Sequence, residues 1–159
     1  MEKLLLTGKV KAIGVSNFSK LELERILKEC SVVPAIHQTE LHPCLQQKGF
    51  VDWQESKGIK IMQFSPSGNL NTFYRDAIAE KHGKSPIQIA LAWGVVNGRC
   101  VIPKSTIEWQ IKENLEADSI PLDEEDSQQI AKMDQQARFN DPTELFGYKL
   151  YVGLDGAAR

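Results

Sequence analysis

Residues 11–38, KAIGVSNFSKLELERILKECSVVPAIHQ, decide the fold. They hold a short apolar run, Lys11-Ala-Ile-Gly-Val15, and then a stretch from Lys20 to Cys30 in which Leu21, Leu23, Ile26 and Leu27 form a partly helical stripe. A second apolar run follows, Ala35-Ile-His-Gln38. Short runs rich in β-branched or bulky residues read as strands, and apolar residues at helical spacing read as an amphipathic helix. The unit is strand, helix, strand.

The same rhythm continues downstream. Ile59-Lys-Ile-Met62 and Cys100-Val-Ile102 read as two further strands. Helices are predicted over Lys48 to Lys57, with Phe50, Val51 and Trp53 near one face, over Asn71 to His82, and over Ser85 to Val96. Ser85-Pro86 opens the last of these as a cap followed by proline at the first helical position. Its Ile87, Ile89, Ala90, Leu91 and Trp93 are expected to be a core face packed on a sheet rather than a partner groove. Thr106 to Ala117 and Asp123 to Gln136 are the last helical stretches. In the acidic run Asp123-Glu-Glu-Asp126 the first and last residues have capping spacing, and carboxylates at a helix start offset its dipole. Strands alternating with helices imply parallel βα units under covering helices, class α/β. The rhythm fits a doubly wound sheet or part of a (β/α)8 barrel. A whole barrel needs about 250 residues, so four units in 159 residues are half of one.

Composition narrows the partners. With 42% hydrophobic residues the chain can bury a core, and a formal net charge of -2 is too small to make nucleic acid or an anionic surface the main partner. Nothing approaches the roughly 18 uninterrupted apolar residues of a membrane span, and Met1 to Lys11 lacks a signal-peptide pattern, so a cytoplasmic protein is expected. Cys30, Cys44 and Cys100 form no C-x-x-C pair. They are expected to be reduced, mostly buried thiols, with neither a zinc site nor a disulfide framework.

In parallel α/β architectures ligands sit at the carboxyl ends of the strands. Those ends read Gly14-Val-Ser16-Asn17-Phe18, Gln38-Thr-Glu40-Leu-His42-Pro43, Phe64-Ser65-Pro66-Ser67-Gly68 and Ile102-Pro103-Lys104-Ser105-Thr106. Ser16, Asn17 and Gln38 offer donors and acceptors to a planar amide; Ser16 and Asn17 equally suit a turn or cap. Lys104-Ser105-Thr106 ahead of a helix offers a cation, hydroxyls and free N–H groups to a phosphate, or is an ordinary solvated loop. His37 and His42 are five apart and would face opposite sides of an extended strand, so His37 is expected to be buried or hydrogen-bonded rather than catalytic, and His82-Gly83 to end a helix.

Taken in order, these ends make the chain resemble the aldo-keto reductase family. The match runs over nearly the whole chain: Gly8-Lys-Val-Lys-Ala-Ile-Gly-Val-Ser-Asn-Phe18; Gln38 followed by Glu40, His42 and Pro43; Ser56-Lys-Gly-Ile59; Ser65-Pro66; and Val101-Ile-Pro-Lys-Ser105 followed by Glu113-Asn114. The resemblance implies the C-terminal half of a TIM (β/α)8 barrel over residues 1–137, with a tail, 138–159, that walls a substrate pocket. It further implies an NADP(H)-dependent oxidoreductase that reduces aldehydes or ketones to alcohols. Ser16, Asn17 and Gln38 match the residues that hold the nicotinamide carboxamide. Phe64 stands where a tyrosine usually stacks on the nicotinamide, and Ser65 begins the loop that folds over the pyrophosphate, shorter here than usual through Ser67-Gly68-Asn69. Lys104, Ser105 and Thr106 match positions around the adenosine 2′-phosphate, and Glu113 and Asn114 those near the adenine. Gln110 replaces the usual arginine, which admits NAD(H) as well as NADP(H). Arg138-Phe-Asn-Asp-Pro142 resembles sugar- and glyceraldehyde-type members.

The family's catalytic aspartate, tyrosine, lysine and histidine lie on the first four strands, whereas Met1-Glu-Lys-Leu4 matches the end of the helix before the fifth. No catalytic residue is therefore assigned within the chain. Tyr74, Tyr148 and Tyr151 supply no acid paired with a cation by spacing. Expected partners are a dinucleotide and, once another half-barrel completes the site, a small carbonyl substrate. Self-association is one such pairing, because a half-barrel leaves two sheet edges and an apolar interior to cover and two copies could close a barrel by two-fold symmetry, although such a homodimer would still lack the catalytic group. The alternatives are a dinucleotide-binding module without turnover, or a truncated product with no activity.

Overall fold

Four strands, β1 (Gly14–Ser16), β2 (Ile36–Glu40), β3 (Lys60–Phe64) and β4 (Cys100–Ile102), lie side by side in the order β1-β2-β3-β4 and are all parallel in a computed structural model. The structure describes residues 1–68, 77–141 and 143–147. Each crossover carries a helix, as parallel pairing requires. These are α1 (Lys20–Glu29), α2 (Lys48–Ser56) and, between β3 and β4, α3 (Ala77–His82) and α4 (Pro86–Val96). α5 (Glu108–Glu116), α6 (Glu124–Ala131) and the single turn α7 (Thr143–Phe146) follow β4. The expected βα alternation is present. The run Met1 to Leu4 lies mostly in a 3-10 helix, Glu2–Thr7, and the part of the third predicted helix before Ala77 lies outside the described residues.

Local chemistry starts the helices where the sequence places them. Ser19, Ser85 and Asp123 each accept from the N–H three residues on, while Glu22, Gln88 and Asp126 reach back to the cap N–H. These are reciprocal capping boxes, each satisfying orphan donors of the first turn. In α4 every residue from Gln88 to Gly94 is buried, so the apolar stripe is core, as predicted. Gly94 lets the helix lie against the sheet: a Cβ there would stand 2.6 Å from both polar atoms of the Gln63 amide. The main core joins Leu41, Ile61, Ile89, Leu91 and Trp93, and a smaller one around Leu23, Phe50 and Ile59 sits under α1 and α2.

Several boundaries differ from expectation, beginning with β1, which is Gly14–Ser16 rather than Lys11–Val15. β2 and β3 run past Gln38 and Met62 to Glu40 and Phe64, because Thr39, Glu40 and Gln63 are polar yet fully buried. α5 begins at Glu108 rather than Thr106, since the Ser105 hydroxyl accepts from Ile107 N at 3.0 Å and turns the chain there. α6 stops at Ala131, before Gln136, because Gln135 N and Ala137 N both donate to the Cys44 carbonyl. The cysteines also depart from expectation: only Cys44 is buried, Cys30 is half-buried, and Cys100 is exposed because it lies on an edge strand. No helix among the described residues is long and apolar enough to cross a membrane.

Candidate functional site

The parallel register sorts the strand residues into two faces. Val15, His37, Thr39, Ile61, Gln63 and Val101 alternate with Ser16, Gln38, Glu40, Met62, Phe64, Cys100 and Ile102. Pairing aligns Ser16 with Gln38, Gln38 with Met62, and Met62 with Cys100 in one layer across the open face. A second layer nearer the strand ends aligns Glu40 with Phe64 and Phe64 with Ile102. Ser16, Gln38, Phe64 and, two residues beyond β4, Lys104 therefore come in sequence order along one rim of the sheet.

At the β1 end the backbone is tightly drawn. A Cβ at Gly14 would stand 2.6 Å from the Ile36 carbonyl oxygen, so β1 approaches β2 more closely than a side chain permits. Asn17 has φ 58°, in the left-handed region that asparagine tolerates, and its N–H donates to the Gln38 carbonyl at 3.0 Å. Its side-chain oxygen is buried and finds no hydrogen-bond partner among the described residues. An unpartnered buried carbonyl is costly, so this oxygen has a lone pair open to a donor. The Gln38 amide donates to the Met62 sulfur at 3.3 Å. A concavity of about 360 Å³ opens here, lined by Gly14, Ser16, Ile36 and Gln38 among others.

The β4 end is looser. Lys104 and Thr106 are exposed. The Ser105 hydroxyl donates to the Gln110 side-chain oxygen at 2.6 Å. Glu113 accepts from the Ser85 hydroxyl at 3.4 Å and its carbonyl from Gln88, so this residue is drawn toward the start of α4; Asn114 is half-buried beside it.

Sequence reasoning missed a cluster at the β2 end. The Glu40 carboxylate is fully buried and accepts from His42 Nε2 at 3.2 Å, Phe139 N at 2.8 Å, Asn140 N at 3.1 Å and Arg138 at 3.4 Å. Burial alone would raise its pKa; the hydrogen bonds from His42, Phe139 and Asn140 and the charge of Arg138 outweigh this and hold it below the usual carboxylate value. Arg138 also donates to Gln47, whose amide donates to the Glu40 carbonyl, and Phe139 stacks on His42 with ring centroids 5.1 Å apart. Segment 138–140 is thereby fastened over the β2 end, and Asn140 Nδ2 donates to the Ser65 hydroxyl at 3.1 Å, with Ser65 at φ 45°. The available signal was an acidic residue at the same parity as Gln38 in a strand, with an arginine far downstream.

His37 is buried on the covered face, as expected. Its Nε2 accepts from Phe18 N at 3.0 Å, so the proton resides on Nδ1, bonded to Gln54. Burial lowers its pKa against the opposing pulls of Gln54 and Glu22, which keeps it neutral and structural. His82 pairs with Asp126 at 2.8 Å. Among the described residues no group of three His, Cys, Asp or Glu could hold a metal ion. Tyr74, Tyr148 and Tyr151 lie outside the described residues.

Residues 1–135 match the profile of the Aldo/keto reductase family. An uncharacterized oxidoreductase of Schizosaccharomyces pombe is 43% identical, with 98% of this chain aligned to 52% of that protein. An NAD(P)H-dependent D-xylose reductase of Scheffersomyces stipitis is 38% identical over 96% of this chain and 53% of its own length. A crystal structure of an aldo-keto reductase complexed with NADPH superposes with TM-score 0.84 at 31% identity, covering 94% of this chain and 50% of that one. The four parallel βα units are about half of the barrel in such neighbours. The chain belongs to the aldo/keto reductase family and spans about half the length of the curated relatives that it matches.

Proposed function

We propose that the chain holds a nicotinamide dinucleotide, NADP(H) or NAD(H), along the rim of strand ends, as the cofactor half of an oxidoreductase that converts aldehydes or ketones to alcohols. The single observation that carries this reading is the buried, unpartnered side-chain oxygen of Asn17 beside Ser16 and Gln38. A carboxamide has two N–H donors and one acceptor, and these three side chains offer the complementary set. Phe64 supplies an aromatic face for a flat ring, and Ser65 lies next to it for the pyrophosphate. Lys104, with Ser105 and Thr106, supplies a cation and hydroxyls for a terminal phosphate, and Glu113 and Asn114 border the adenine end. Bound NADPH supplies hydride. This chain's part is to fix the ring and screen one face of it.

Gln110, engaged by Ser105, offers no charge to a 2′-phosphate, which supports use of either dinucleotide. Substrate and proton donor belong to a completing half-barrel, and a second copy of this chain related by two-fold symmetry is the simplest candidate for closing the sheet, though it brings no family catalytic residues.

Titration with NADPH and NADH, followed by nicotinamide fluorescence, tests the proposal. Lys104→Met is expected to weaken NADPH binding about tenfold and NADH binding much less, because only NADPH carries the extra phosphate. Binding without oxidation by a panel of aldehydes would favour a binding module without turnover. No binding at millimolar cofactor would overturn the proposal.

A further inference from the structure

The buried Glu40 cluster does nothing for a dinucleotide directly, yet it fixes a segment that reaches Ser65 from outside the strand-end loops. Glu40 takes the backbone N–H groups of Phe139 and Asn140, while Arg138 and Gln47 close the cluster from the sides. With the backbone of residue 140 tied down, the Asn140 amide nitrogen reaches the Ser65 hydroxyl at 3.1 Å. Ser65 sits in the left-handed region with its carbonyl accepting from Gly68 N at 2.8 Å, so its place is set by the loop as well.

A serine hydroxyl has one proton to give and two lone pairs to receive with. The Asn140 nitrogen only donates, so the bond that it makes uses a lone pair and turns the proton away. We propose that Asn140, anchored by Glu40, is a positioning residue that orients the Ser65 hydroxyl so that its proton faces a phosphate oxygen of the bound dinucleotide. The inference rests on the dinucleotide reading given above. It adds that the segment after α6 and the cofactor stabilise each other through one shared hydroxyl, a coupling that acts equally in both directions. A carboxylate buried under that segment is then part of how the cofactor is held, although it touches no cofactor atom.

A double-mutant cycle tests it, with NADPH affinity read by nicotinamide fluorescence for the unaltered chain, Asn140→Ala, Ser65→Ala and the pair. Asn140 is exposed, and thermal unfolding of each variant checks that the fold is kept. Asn140→Ala is expected to weaken NADPH about tenfold in the chain with Ser65 and to change it little once Ser65 is alanine, as for the loss of a hydrogen bond to a charged group. A merely structural role for Asn140 gives the same loss in both backgrounds, and that result, or no loss at all, overturns the inference while leaving the dinucleotide reading intact. Failure of the unaltered chain to bind NADPH overturns both.

Discussion

Under α2 and α4, Ile61 and Gln63 are almost wholly buried; on the opposite face of the same sheet, Ser16, Lys60, Cys100 and Ile102 meet solvent. The covered face tolerates polar groups, and the open face carries apolar ones. Thr39 and Gln63 are buried with unpartnered side-chain atoms, whereas Ile102 is 39% exposed. The difference teaches that burial in this sheet follows cover, by helices on one face and by segment 138–140 over Glu40 on the other, and that residue type follows only loosely. A sheet that leaves Met62, Phe64 and Ile102 on a face without covering helices is in keeping with half of a barrel.

The sharpest way to break this comparison is to remove volume from the covered layer. Leu91→Ala is expected to destabilise the chain by about 3 kcal/mol, since Leu91 is 1% exposed within the main core. Urea unfolding measures the loss, and a change under about 1 kcal/mol would mean that the covered layer is loosely packed.

Acid tests the buried charges of the same layer. Asp126 is fully buried, bonded to Lys81 at 2.8 Å and to His82, and donated to by Asp123 N in return for its own capping bond. Burial would raise its pKa; Lys81, His82 and the Asp123 N–H overcome that and lower it to about 2. A depressed carboxylate stabilises the fold above its unfolded value near 3.8, and this contribution is lost as pH falls from there toward about 2. The loss amounts to about 2 kcal/mol, and Asp126→Asn removes that share of the pH dependence while leaving the share of Glu40, which is also held below the usual carboxylate value. Unfolding midpoints at pH 5 and pH 2.5 for both proteins give the answer; parallel curves would place the pair in solvent.

The smallest effect belongs to the open face. Ile102→Thr is expected to change stability by less than about 0.5 kcal/mol, because the side chain loses little burial. A loss as large as that of Leu91→Ala would show the open face covered in solution, by another copy of the chain if the loss grows with protein concentration.

The order of elements was legible because periodicity is a local signal. β4 falls on Cys100–Ile102 as read, and the Ser85 and Asp123 caps are those that the spacing suggested. The places where reading fell short all depend on distant partners. Glu40 looks like a loop residue until Phe139 and Asn140 arrive from about a hundred residues downstream. Gln63, just past the run read as the third strand, is buried in the space that Gly94 leaves. Of the proposed site, Ser16, Asn17, Gln38 and Lys104 could be named because strand ends are where parallel sheets gather ligands, and Phe64 only through the family resemblance. The Asn140 contact to Ser65 could not, since no sequence spacing encodes a tail folding back.

The two outermost strands, β1 and β4, are each three residues long, against five for the inner pair. Parallel bonds are slanted and evenly spaced, so so short a border offers a newcomer only one or two backbone hydrogen bonds. Stray chains find little template there, which guards the open sheet against fibrous growth. Whatever completes the sheet must earn its affinity from side chains, and so from a specific sequence.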